Sequence, residues 1–111
     1  MKPNAAVNAI TTHLEHEPVP DDQSVRGAPT TAATEIGEFG GREVGIWEMS
    51  AGVMTDVEAD ELFIVLTGAG TVEFEDGSPT LELRPGSVVR LREGSKTTWT
   101  VTEPLRKVYV V

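Results

Sequence analysis

The chain has no cysteine and only two histidines. Disulfide staples, thiol chemistry and every zinc site that needs thiolate are thereby excluded. Cations are scarce too: nine lysines and arginines stand against eighteen aspartates and glutamates, a formal charge of −9. Such a chain repels phosphate backbones and anionic lipid surfaces, so neither nucleic acid nor a membrane is an expected partner. Nowhere does an apolar run approach the roughly 20 residues that span a bilayer. Met1–Ile10 holds one lysine and no apolar segment of useful length, which argues against a secretory signal and for a cytoplasmic protein. No stretch combines helical apolar spacing with a proper stop signal over more than about ten residues, so a helix-rich fold is not expected.

What remains is the texture of a β protein. A length of 111 residues suits one domain with a single core, and eleven glycines with seven prolines suit a fold rich in turns. Residues 1–40 read as an N-terminal arm, with a short strand over Val7–His16, an irregular proline-bearing segment after it and another short strand over Thr34–Phe39. From Glu43 the alternation is steady. Glu43–Met49 is a strand with Val44, Ile46 and Glu48 on one face and Gly45, Trp47 and Met49 on the other. Ser50–Asp60 reads as an acidic loop. Leu62–Thr67 is a continuous apolar run that suits a strand buried on both faces, and Gly68 and Gly70 part it from Thr71–Glu75. Asp76-Gly77 and Pro85-Gly86 mark tight turns around Pro79–Arg84. Ser87–Arg92, Lys96–Val101 and Arg106–Val111 complete the pattern, the last two joined by a loop at Glu103-Pro104. Seven or eight short strands, with a turn about every ten residues, predict an all-β sandwich or barrel.

Three motifs give the pattern a family. The segments ELFIVLTG (61–68) and LRPGSVVRLREG (83–94), with the Asp76-Gly77 hairpin between them, together resemble the cupin superfamily. TTWTVTEPLRKVYVV (97–111) and GIWEMSAG (45–52) are similar to a group of small single-domain cupins related to ureidoglycine aminohydrolase, largely of unknown function. The resemblance covers about 70 residues, Arg42–Val111. It implies a single-domain double-stranded β-helix, a jelly-roll barrel over residues 41–111 with the irregular arm before it. It also implies a homodimer in which the arm or an edge strand pairs with the partner.

The same resemblance implies a metal site, and here the chain departs from the pattern. Glu61 falls on the family's glutamate, with six residues between it and Gly68. The two histidine positions before it fall on Thr55 and Val57, or on Met54 and Asp56, depending on spacing. In the second motif Gly86 and Gly94 match, Arg92 replaces proline, Thr97 replaces the third histidine and Val101 replaces asparagine. Transition metals in such sites want imidazole nitrogen. No histidine-based metal site is therefore expected, and no cofactor. Asp56, Glu58, Asp60 and Glu61 could hold a hard divalent cation such as Mg²⁺, Ca²⁺ or Mn²⁺, although a solvated acidic loop is the plainer reading.

Glu61 is the tentative catalytic residue. Facing the barrel with Phe63 and Val65, its carboxylate would need a cationic partner or a raised pKa, and it could serve as an acid, a base or a ligand anchor. Arg90, Arg92 or a backbone amide would satisfy it otherwise. Trp47, Phe63, Arg90, Thr97 and Trp99 are the expected ligand pocket: the aromatics to stack on a planar or cationic ligand, the arginine to hold a carboxylate. Core packing for the aromatics and a wet sheet face for Arg90 and Arg92 are the plainer alternatives. Arg106-Lys107 could serve as Arg90 does, or face solvent or a subunit. His13 and His16 read as surface residues. Two function classes stay open. One is a metal-free module that binds a small polar or amide-like molecule. The other is an enzyme on a small ureido, amide or carboxylate substrate that uses Glu61.

Overall fold

Alternation of apolar and polar residues becomes nine strands and no helix in the computed structural model, which describes residues 1–111. They are β1 (Glu17–Pro18), β2 (Ser24–Arg26), β3 (Thr30–Phe39), β4 (Arg42–Met49), β5 (Gly52–Val57), β6 (Glu61–Phe74), β7 (Leu81–Leu83), β8 (Val88–Leu91) and β9 (Lys96–Val110). All pairings are antiparallel. Two strands carry the architecture. The C-terminal half of β9 lies between β4 and the start of β6, while its N-terminal half lies between β5 and the end of β6. One layer thus runs β1-β3-β4-β9-β6-β8 and the other β2-β5-β9-β6-β7, with β6 and β9 shared. Between the layers sits a core that includes Met49, Met54, Phe63, Val65, Trp99 and Leu105.

The shared strands turn the corner where the sequence predicts breaks. Gly68 and Gly70, with Glu103-Pro104 opposite, do not separate four strands; they bend two continuous ones, with register shifts between Val65 and Gly70. Gly68 has φ +93°, and a Cβ there would stand 2.2 Å from the Pro104 carbonyl oxygen, so only glycine lets the strands cross so closely. Other expectations are corrected as well. The run at Leu62–Thr67 is buried on one face only, since Leu62 and Ile64 are 44% and 42% exposed. The acidic segment contains β5, held between β2 and β9. β3 starts four residues earlier than expected. Val7–His16 forms no strand; Asn8 instead accepts the backbone N–H groups of Ile10 and Thr11 through Oδ1 at 3.0 and 3.3 Å and closes a local turn.

The first sixteen residues lie on their own barrel. Leu14 packs on Ala32 and Ile46 from outside the β3–β4 sheet, with Ala9 and Ile36 beside them. Arg106 fastens this contact. Its Nη1 donates to the carbonyls of Ala9, Ile10 and Thr12 at 3.0, 3.2 and 2.7 Å, and its Nε donates to Glu48 at 3.3 Å. Glu48 also meets His16 Nε2 at 2.7 Å, whose Nδ1 meets Thr30 Oγ1 at 2.8 Å. Burial pushes the Glu48 carboxyl up, but the hydrogen bonds from His16 and Arg106 outweigh it and leave the pKa lowered. Arg106→Met should therefore cost about 3 kcal/mol, because Glu48 and three carbonyls lose their donor. Limited proteolysis should then cut within residues 1–16 while the barrel stays intact; an arm as resistant as in the unaltered protein would refute the fastening role.

Candidate functional site

Strand parity decides which side chains look into the barrel. On β9, Thr97, Trp99 and Val101 face inward, and the same alternation resumes past the corner at Leu105, Lys107 and Tyr109. Opposite them are Trp47 on β4, Phe63 on β6 and Asp56 at the end of β5. Among these side chains lies a cavity of about 110 Å³, walled by Trp47, Trp99 and Tyr109, with Asp56, Glu58, Glu61 and Lys107 as its polar groups.

Lys107 is the centre of this arrangement. It is only 4% exposed, and its Nζ donates to Glu61 Oε2 at 2.6 Å. Three rings surround the same nitrogen, with centroids at 4.2 Å for Phe63, 4.6 Å for Trp47 and 4.9 Å for Trp99. Burial pulls the Lys107 ammonium below its usual range, while Glu61, Glu58 and Asp56 pull the other way.

Glu58 follows the last residue of β5 and turns inward. Its Oε2 accepts from Thr97 Oγ1 at 2.6 Å and from Trp99 Nε1 at 2.9 Å. No buried side-chain oxygen in the protein lacks a partner, so its other oxygen, without a protein donor, opens to the cavity. Asp56 stands at the edge, where burial first and Glu58 second push its carboxyl up. Asp60 points outward and accepts the Glu93 N–H at 2.9 Å and Arg90 Nη2 at 3.3 Å; the first of these chiefly lowers its pKa. The Tyr109 hydroxyl donates to Glu43 at 2.5 Å. Gly45 makes room for that ring, since a Cβ there would lie 2.3 Å from the Tyr109 hydroxyl.

These residues do not fit the metal that the cupin pattern implies. The longer spacing places Met54 and Asp56 inward, while Val57 is exposed. Glu61, at the matching glutamate, binds an ammonium, and Thr97 donates its hydroxyl to Glu58. No group of three histidine or acidic side chains is placed to hold a metal ion. Of the four acidic residues of the segment, Asp60 points outward, while Asp56, Glu58 and Glu61 line one cavity around an ammonium and not around a cation site of their own. His13 pairs with exposed Glu15 and His16 with Glu48, both away from the cavity.

The fold and the site meet known proteins at this point. The model of the EutQ-like cupin domain matches residues 36–109. The chain belongs to the EutQ-like cupin family. Among solved structures, it is similar to the EutQ protein of Clostridium difficile, at 18% identity and TM-score 0.64, covering 85% of this chain and 78% of that one. A protein of unknown function from Pseudomonas syringae pv. tomato has 20% identity and TM-score 0.72, covering 94% of this chain and 46% of that one. A DUF861 family protein from Thermotoga maritima has 31% identity and TM-score 0.54, covering 58% of this chain and 73% of that one. No curated protein matches the sequence.

In this EutQ-like cupin, Glu61, Trp47, Phe63 and Trp99 come together around one nitrogen, and Thr97 joins them only through Glu58. Arg90 does not join them; it lies on the outer face beside Asp60. The sequence offers Lys107 only as a possible carboxylate holder and Glu58 only as one of four acidic residues, and it places neither in the pocket. Lys107 was within reach, because it alternates with Leu105 and Tyr109. Glu58 gave no such signal. Tyr109, the one tyrosine of the chain, offers a direct check. Burial and then the hydrogen bond to Glu43 hold its phenol well above the ordinary value. A phenol so raised contributes stability that is present below about pH 10 and lost as pH rises through the folded value. Ultraviolet titration should therefore show phenolate growing in only well above the ordinary tyrosine range while the fold persists, and Glu43→Gln should bring ionisation to lower pH. Phenolate growing in near pH 10 in the folded protein would contradict the geometry.

Proposed function

We propose that this EutQ-like cupin binds a small, polar, donor-rich cation in this cavity without a metal. The charge balance of the cavity carries this reading. Three carboxylates, Asp56, Glu58 and Glu61, face one ammonium, so two formal negative charges lack a counterpart. Glu58 strengthens it, being 8% exposed yet held by Thr97 and Trp99 with one oxygen free. Such a surface accepts hydrogen bonds and offers few, which suits primary amines, amidines or N–H-bearing amide and ureido groups. Trp47 and Trp99, their rings 5.2 Å apart, give a small cation an aromatic wall. The volume holds the equivalent of about three or four waters, which limits the ligand to a few heavy atoms.

The short Glu61–Lys107 hydrogen bond favours a second reading, an enzyme in which this pair moves a proton at the bound molecule. Both readings are tested by thermal unfolding with small amines, acetamidine, small carboxylates and divalent metals. A ligand at 100 times its dissociation constant adds about 2.7 kcal/mol, which raises Tm by about 10 °C or more in a domain of this size. Amines and acetamidine should stabilise the protein, propionate should not, and Glu58→Gln should abolish the effect. Elemental analysis should find no stoichiometric iron, nickel, zinc or manganese. One transition metal per chain, or stabilisation by carboxylates in place of amines, would overturn the proposal.

A further inference from the structure

Lys107 is a primary amine in a closed aromatic pocket, and balancing Glu61 does not require it to face a cavity. Yet it lines the 110 Å³ space, with a carboxylate 2.6 Å from its nitrogen and Glu58 on the same cavity wall. We propose that Lys107 is a covalent site that forms an iminium with a small, uncharged or cationic aldehyde, with Glu61 as its proton shuttle. This rests on the cavity admitting small molecules, as the binding reading requires.

The step balances without any further reactant. Glu61 takes one proton from the ammonium along their hydrogen bond. The freed nitrogen pair attacks the carbonyl carbon, the π pair moves to oxygen, and Glu61 returns the proton there. Glu61 then removes a second proton from nitrogen and delivers it to the carbinolamine hydroxyl. That group leaves as water while the nitrogen pair closes the C=N bond. Ammonium and aldehyde thus give iminium and water, with the positive charge conserved. This conservation is what the pocket favours. Phe63, Trp47 and Trp99 face the nitrogen, and three carboxylates require a cation there before and after reaction. The depression of the Lys107 pKa by burial acts in the same direction, since it eases loss of the first proton. The same carboxylates repel keto acids, which sets the preference among carbonyl compounds.

The chain has three lysines, Lys2, Lys96 and Lys107, and each can be read separately by peptide mapping. The whole protein is incubated at neutral pH with propionaldehyde or glyoxylate and cyanoborohydride, and the alkylated peptides are quantified by mass spectrometry. Propionaldehyde should label Lys107 at least about tenfold faster than Lys2 and Lys96, a difference of about 1.4 kcal/mol in barrier. Glyoxylate should lose that preference. Glu61→Gln, verified as folded by circular dichroism, should bring Lys107 down to the rate of Lys96. Labelling of Lys107 no faster than Lys96 in the unaltered protein overturns the proposal, as does fast labelling that Glu61→Gln leaves unchanged. If labelling fails while amines still stabilise the protein, the covalent chemistry alone falls. If both fail, the binding reading falls with it.

Discussion

Burying Lys107 dictates the chemistry of everything around it. An ammonium without water costs several kcal/mol unless carboxylates and polarisable groups replace its hydration. Glu61 supplies the direct contact, and Phe63, Trp47 and Trp99 supply the rings. Trp99 in turn donates to Glu58, and Thr97 donates to the same carboxylate oxygen. The indole is therefore both wall and donor. Removing Glu61 or Glu58 would leave buried donors without their acceptor, so these side chains depend on one another.

A chain this acidic spends few of its cations inside, yet two neighbours in sequence are buried on opposite faces of one strand. Lys107 points into the barrel and Arg106 points out under the arm. Each neutralises a glutamate, Glu61 inside and Glu48 outside. The alternation of β9 thus sets one ion pair at the cavity and another under the arm, one residue apart.

How much of this could be read in the residues depends on how local the cause is. The strands after Glu43 and the inward set of Trp47, Phe63, Thr97 and Trp99 follow from period-two alternation, and that pattern is local. The loss of family histidines at Thr97 and before Glu61 is also visible in the sequence alone. The continuity of β6 and β9 is not, because Gly68 and Pro104 look like stops until each is seen to make room for the other. Arg90 misled because alternation tells which residues share a face and not which face is wet. Lys107 was hidden by its charge, since a lysine beside an arginine reads as solvent-facing until its partners from β4 and β6 are in place. Glu58 depended on two donors some forty residues away, and nothing near it in the chain announces them.

The sharing of β6 and β9 by both layers also bears on the order in which the fold is assembled. β9 is made after every strand it joins, and it is an interior strand of each layer. During synthesis β3 and β4 can pair, and β6 can pair with β7 and β8, but β5 has only β2 until β9 emerges. The cavity, both buried cations and the closure of the barrel all wait for that segment. Long-range pairing of this kind is slow relative to local hairpins, and the incomplete chain carries open edges. Its negative charge then has a role before folding is complete, holding unfinished chains apart while they wait for the strand that seals them.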